Sequence, residues 1–207
     1  MIAVEKTVLV LLAAGRSERF GDIGSKLDQP FLGKPLGLHV AVAFEAIAFA
    51  DRVAIVHGAA IDYQPYRFGV IQNEAIEKGM SHSLALGVAH ARDLGADAIC
   101  VALADMPRVT ASHIYRMFDV TEGLDSVVAS SDGVEPKPPA IFGRDHFDTL
   151  LALDGDAGAR TMIKRGRHVV TAAAELIDVD TPEELAQLRA LVHAPEALTR
   201  VGARRLG

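Results

Sequence analysis

Thr7-Val8-Leu9-Val10-Leu11-Leu12 runs directly into Ala13-Ala14-Gly15-Arg16-Ser17-Glu18-Arg19-Phe20-Gly21. A short β-favouring apolar run that breaks into small residues, glycine and arginine reads as a buried parallel strand emptying into a binding loop. Gly15 and Gly21 permit backbone conformations that other residues resist, and Gly15 also permits close approach of main chain to a ligand. Arg16, Arg19 and Lys26 place three cations within eleven residues. Backbone N–H groups and that charge together suit a polyphosphate. On the loop alone, the alternative is an ordinary βα connection with solvated arginines.

Composition narrows the class. A chain of 207 residues, 50% hydrophobic, fits one compact domain with a substantial core and excludes wholesale disorder. We expect one domain over 1–193 and a frayed tail over 194–207, a segment carrying several arginines. The net charge of −6 argues against nucleic acid or an anionic membrane as the main partner. Cys100 is the only cysteine, so no intrachain disulfide and no cysteine-held zinc or iron–sulfur centre can form. Its apolar surroundings predict a buried, inert thiol. The N-terminus lacks a secretory pattern, and no apolar run approaches the ~20 residues of a membrane span. A cytoplasmic location is expected.

Strand and helix patterns alternate along the chain. Helices are predicted over 36–49, 81–91, 110–120, 144–153 and 157–164, and strands over 52–56, 68–71, 98–103, 126–129, 140–142 and 168–172. Thr181-Pro182-Glu183-Glu184 is a helix start, with Thr181 as cap, Pro182 in the first turn and Glu184 closing a capping box. Leu185, Leu188 and Val192 would pack that last helix on the sheet. The alternation predicts an α/β, Rossmann-like, mostly parallel sheet with helices on both faces. Residues 132–139 are the nearest to a linker, and a mobile lid is expected there. Ligands of open α/β sheets bind beyond the carboxyl ends of the strands. That rule gathers the 13–21 loop, the Asn73 region and Asp105 along one rim.

Asp105 follows the apolar run Ile99-Cys100-Val101-Ala102-Leu103-Ala104. A carboxylate there is placed to hold Mg²⁺, which takes one or two protein carboxylates and completes its shell with phosphate oxygens and water, or else is a turn aspartate helped by Pro107. Asp178 and Asp180 share one face if their segment is extended. Either could supply a second metal ligand, or both could complement the positive end of the last helix. Asn73 follows a strand and Gly79-Met80-Ser81 opens a helix; Asn73 or Ser81 reads as a base or ribose contact, or as a turn residue and a helix cap. The eight histidines form no metal pattern, and His82 and His90 lie two turns apart on one helix. Gly15 and Gly21 do not make G-x-G-x-x-G and no G-K-[ST] follows, which disfavours a dinucleotide oxidoreductase and a P-loop ATPase.

The stretch LLAAGRSERFG followed by Lys26 resembles the signature of MobA-like nucleotidyltransferases, a group that includes the molybdenum cofactor cytidylyltransferases. The resemblance continues at Leu103-Ala104-Asp105-Met106-Pro107, at Gly155-Asp156-Ala157-Gly158-Ala159-Arg160 and at Asp178-Val179-Asp180-Thr181-Pro182-Glu183-Glu184. Two departures are visible. Asp22, Ile23, Gly24 and Ser25 stand between Gly21 and Lys26, where relatives place the lysine three residues after the glycine. Lys137-Pro138-Pro139 stands where cytidylyltransferase relatives often carry Gly-His-Pro.

The resemblance implies a fold of nucleotide-diphospho-sugar transferase type and transfer of a nucleotide from a nucleoside triphosphate to a phosphorylated acceptor such as molybdopterin. It implies Arg19, Lys26 and Asp105 as catalytic residues, and Leu12, Ala13, Ala14, Gly15, Arg16, Ser17, Asn73, Gly79 and Ser81 as nucleotide contacts. Asp105 and Asp180 would hold Mg²⁺, and a molybdoenzyme or cofactor chaperone would be the protein partner. An LAAG form of the first loop goes with cytidylyl transfer and LAGG with guanylyl transfer, so Leu12-Ala13-Ala14-Gly15 implies CTP. The alternatives are a guanylyltransferase, a sugar-phosphate-type nucleotidyltransferase and a silent nucleotide sensor.

Overall fold

Strand β1 (Thr7–Ala13) is buried along its whole length, and its alternate side chains feed two different cores. The computed structural model describes residues 1–153 and 158–193. The first half of the Gly155–Arg160 motif and the tail expected over 194–207 therefore lie outside the described residues. Two residues each in β2 (Pro30–Phe31) and β3 (Lys34–Pro35) form a small antiparallel ladder. The strands β4 (Asp51–Val56), β5 (Gly69–Gln72), β6 (Ala98–Leu103), β7 (Val127–Ser131), β8 (Pro136–Gly143) and β9 (Arg167–Val170) join β1 in one sheet.

The strand order is β5-β4-β1-β6-β8-β7-β9. β8 pairs antiparallel with both β6 and β7, while the pairs β5–β4, β4–β1, β1–β6 and β7–β9 are parallel. The sheet is thus mostly parallel, as expected. Leu9, Leu11 and Ala13 face a core closed by α1 (His39–Ala43) and α3 (Ala111–Asp119). Val8, Val10 and Leu12 face a second core closed by α2 (Met80–Asp93), α4 (Phe147–Leu151) and α5 (Gly158–Arg165). Gly87 sets how closely α2 approaches β1, since a Cβ there would lie 2.3 Å from Val10 Cγ1. Cys100 is fully buried, and burial pushes its thiol up to about 12, in keeping with an inert role. No helix among the described residues is long and apolar enough to cross a membrane.

Several elements differ from expectation. The helix expected over 36–49 is a 3-10 turn (Leu36–Leu38) and the five-residue α1. Beyond it, the carbonyls of Glu45 and Ile47 accept hydrogen bonds from the Arg52 guanidinium, and Arg67 also donates to Glu45 at 2.9 Å. Side-chain donors from beyond the segment thus take the Glu45 carbonyl, which a helix continuing to residue 49 would have used. Half of the lid expected over 132–139 is strand: β8 extends from Pro136, and the turn before it is pinned by Asp132 Oδ1, which accepts from the N–H groups of Val134 and Glu135 at 2.9 Å. The helix expected over 144–153 divides into a 3-10 turn (Arg144–His146) and α4. The last helix, α6 (Pro182–His193), packs Leu185 and Leu188 on Phe20, Phe31 and Leu36 rather than on the sheet. Its contacts are with the chain that follows the first loop, so α6 clamps that segment.

A buried polar chain crosses the first core. Arg116 donates to His113 Nδ1 at 3.1 Å, so His113 Nε2 carries the proton and donates to Ser130 Oγ at 2.8 Å. Ser130 in turn donates to the Pro139 carbonyl at 2.8 Å. Burial, and then the Arg116 charge, hold His113 below the ordinary histidine value.

Candidate active site

The carboxyl ends of β1 and β6 lie side by side, and Ala104 N–H donates to the Leu12 carbonyl at 3.0 Å. Two loops therefore leave the sheet together, one carrying Gly15 to Arg19 and the other Asp105. In the first loop, Ser17 adopts a left-handed conformation (φ 52). Among the described residues, no backbone hydrogen bond is donated by the N–H groups of Gly15, Arg16 or Ser17. These groups are free to meet an anion.

Lys26 returns to this loop after a detour. Its N–H donates to Ser17 Oγ at 3.0 Å, and Ser25 caps the 3-10 turn Lys26–Asp28 by accepting from Leu27 N–H. The ammonium donates to Asp105 Oδ2 at 2.6 Å and to Asp180 Oδ1 at 2.7 Å. Arg19 reaches the other oxygen of Asp180 at 3.0 Å. The longer spacing from Gly21 thus still delivers the lysine to the carboxylates.

Asp180 is fixed from both sides. Val179 N–H donates to the Asp105 carbonyl at 3.0 Å, and the Val179 side chain is fully buried in the small core under α6. Glu184 Oε2 accepts from the N–H groups of Asp180 and Thr181 at 2.7 and 2.9 Å, while Thr181 Oγ1 accepts from Glu184 N–H at 3.2 Å. This is the capping box read in the sequence. Asp178 is exposed and acts on Asp105 through its charge alone, so the structure brings Asp180 and not Asp178 to the cluster.

The electrostatics follow from these contacts. Burial works to lower the Lys26 value, but Asp105 and Asp180 outweigh it, and the ammonium is held above its ordinary range. The hydrogen bond from Lys26 holds Asp180 below the carboxylate range. Burial pushes Asp105 upward with Lys26 opposing, so this carboxylate depends on a neighbouring cation to stay ionised. Asp105 Oδ1 is buried and makes no hydrogen bond. Among the described residues no group of three or more His, Cys, Asp or Glu is arranged around a metal position. Two convergent carboxylates, one with an unspent buried oxygen, are nevertheless a donor set that suits Mg²⁺ when phosphate and water supply the rest.

These groups border a cleft of about 540 Å³, together with Leu12, Ala14, Gly15, Arg16, Ser17 and Gly79. Arg16 sits at the rim, donating to the Ile76 carbonyl at 3.2 Å. Ala13 points away into the core beneath α1 and α3. Gly79, at φ 78, turns the chain into α2.

Asn73 and Ser81 do not border the cleft. Asn73 is buried, its Oδ1 accepting from Ala75 N–H at 3.0 Å and its Nδ2 donating to Ser83 Oγ at 2.8 Å. Ser81 turns its hydroxyl back to the Lys78 carbonyl at 3.4 Å. Among the cleft residues that sequence reading passes over is Ser83. Helical spacing carries the signal: Ser83 follows Gly79 by four residues and so shares its face, whereas Ser81 is turned away.

A family model described as a MobA-like NTP transferase domain matches residues 9–171. The purine catabolism protein PucB of Bacillus subtilis (strain 168) is 32% identical over 198 residues, covering 87% of this chain and 94% of PucB. The structure of Rv0371c in complex with manganese, from Mycobacterium tuberculosis H37Rv, superposes with a TM-score of 0.67 at 26% identity, covering 88% of this chain and 97% of that one. A nucleotidyl transferase from Methanothermobacter thermautotroptrophicus shares the fold with a TM-score of 0.71 at 20% identity, covering 88% and 95% of the two chains. The sheet is of the nucleotide-diphospho-sugar transferase type. The chain belongs to the MobA-like NTP transferase family, and is a nucleotidyltransferase.

Proposed function

We propose that this nucleotidyltransferase moves CMP from CTP to a phosphorylated acceptor of the molybdopterin type and releases pyrophosphate. The observation that carries the reading is the meeting of Lys26, Asp105 and Asp180 opposite the free N–H groups of the Gly15 loop. An acceptor phosphate oxygen attacks the α-phosphorus, the α–β phosphoanhydride bond breaks, and pyrophosphate departs. A phosphomonoester has its second pKa near ~6 and is already anionic at neutral pH, so no general base is needed.

Catalysis then rests on positioning and charge. The Gly15, Arg16 and Ser17 N–H groups hold the phosphates, while Arg19 and Lys26 meet the negative charge that develops on pyrophosphate. Asp105 and Asp180 are the residues that would hold Mg²⁺, which when bound neutralises charge on the phosphate oxygens. The manganese bound by Rv0371c supports a divalent ion in this role.

The Ala14 methyl group on the cleft wall supports a pyrimidine over a purine. Ser83, held by Asn73, also borders the cleft and has hydroxyl capacity left for a nucleotide. The resemblance supports molybdopterin as acceptor and a molybdoenzyme or cofactor chaperone as recipient. The reading is tested by incubating the protein with CTP or GTP and a panel of phosphorylated acceptors that includes molybdopterin, following pyrophosphate. Release that requires both CTP and molybdopterin is the expected result.

A further inference from the structure

Lys26 occupies the position between the two carboxylates that a divalent cation would need. Its ammonium touches Asp105 at 2.6 Å and Asp180 at 2.7 Å. Magnesium–oxygen distances are about 2.0–2.1 Å. An ammonium and a hydrated ion therefore compete for one small volume and cannot share it. The lysine is also an incomplete occupant, because Asp105 Oδ1 stays buried without a partner. A metal ion that brings its own water supplies donors the ammonium does not.

The lysine has somewhere else to go. Its backbone is tied to the phosphate loop through Ser17, and its stem runs beside Gly15, where a Cβ would lie 3.8 Å from Lys26 Cε. The side chain that reaches the carboxylates thus passes the loop whose N–H groups are unspent. A triphosphate seated there offers the ammonium an anion to replace the carboxylates it leaves.

We infer that Lys26 is an internal stand-in for the metal, which blocks divalent binding in the nucleotide-free protein and moves to the phosphates when the triphosphate arrives. The consequence is ordered loading: the ion binds tightly only with nucleotide. Nucleotide-free protein then does not accumulate a metal-bound state with its carboxylates already committed. This rests on the nucleotidyl-transfer reading of the site, and it assigns Lys26 a second task that opposes metal binding.

The test is direct titration with Mn²⁺, read by loss of the free-ion paramagnetic resonance signal and independent of turnover. Wild-type protein without nucleotide should bind Mn²⁺ weakly, and Lys26→Met should bind it at least tenfold more tightly. Thermal melting gives a second reading: Mn²⁺ alone should raise the melting temperature of Lys26→Met and leave that of the wild type nearly unchanged. Lys26→Arg, which keeps a cation between the carboxylates, should behave as wild type does. Equal or weaker Mn²⁺ binding by Lys26→Met would overturn the inference. If Lys26→Met and Lys26→Gln fail to fold even with Mn²⁺, the wild type decides. Tight Mn²⁺ binding without CTP contradicts the inference, and uptake with CTP that exceeds what the same CTP takes up without protein supports it. A wild type that takes up no Mn²⁺ alone, with CTP or with GTP, beyond what the nucleotide takes up without protein, refutes the metal role of Asp105 and Asp180, and the inference with it.

Discussion

Lys26 and Asp105 stand 79 positions apart in the chain and 2.6 Å apart in space, joined across the carboxyl ends of two adjacent parallel strands. Each keeps the other charged in a mostly enclosed setting, with side-chain exposures of 9% and 19%. Such a pair is costly to break from one side only, because the remaining charge loses its partner. Here Asp180 provides a second partner for the lysine, so the site tolerates loss of one carboxylate better than loss of the ammonium.

Arg19 is expected to be a phosphate contact with little structural weight. Its side chain is 68% exposed, and its bond to Asp180 is of the solvent-screened kind that contributes little to stability. Arg19→Ala should melt within about 2 °C of wild type, a shift of ~0.5 kcal/mol or less. It should bind CTP about tenfold more weakly, or ~1.4 kcal/mol, with little change for CMP. Isothermal titration with both ligands checks this, and equal losses would place the guanidinium away from the β- and γ-phosphates.

Ala14→Gly should relax donor choice. One methyl in a pocket is worth ~1–3 kcal/mol, so the CTP-to-GTP ratio of kcat/KM should fall about tenfold without loss of CTP use. Competition between the two triphosphates, with pyrophosphate as readout, measures the ratio. An unchanged ratio would mean that the base does not pack against this wall.

Stability should decline as the pH falls below neutrality, in part through His113. Burial and Arg116 hold its folded value below the ordinary 6.5, so the native side chain stays neutral while the unfolded one takes up a proton. The stabilisation from neutral His113 is present above about pH 6.5 and is lost as the pH drops through the folded value. Urea midpoints at pH 7.5 and 5.5 should differ more for wild type than for His113→Gln, which is the less stable protein at pH 7.5. Identical pH slopes would show that His113 does not titrate differently on unfolding.

Gly87→Ala should be destabilising by ~1–3 kcal/mol, because the added methyl meets Val10 and α2 must shift off β1. Chemical denaturation gives the value. A pair in which Val10→Ala accompanies Gly87→Ala should recover part of the loss, and no recovery would locate the cost elsewhere.

Much of this architecture is legible in the sequence because the decisive signals are local. β6 runs from Ala98 to Leu103 as read, since a continuous apolar run bounded by Asp97 and Asp105 leaves little choice. The capping box at Thr181 and Glu184 is likewise a local device, and it holds Asp180 in place. The misreadings come from distant partners. Nothing near residue 45 announces that Arg52 and Arg67 will take the carbonyls of a helix, and nothing near Pro138 announces a strand paired on both edges. Asn73 is a polar residue at a strand end, yet it is buried behind the cleft wall and hydrogen-bonds Ser83, which borders the cleft; only the three-dimensional path of the chain separates the two positions.

Asp105 is expected to take part in nucleotidyl transfer, and pyrophosphate release is the measurement that reads this role. The assay compares wild type with Asp105→Asn in Mg²⁺, CTP and molybdopterin, after circular dichroism has shown that both are folded. Acceptor-dependent release by wild type is expected, with a fall in kcat of about 10²–10³ for the variant, as for loss of a preorganised charge at a transition state. A variant that matches the wild-type rate at low and at high magnesium would contradict it.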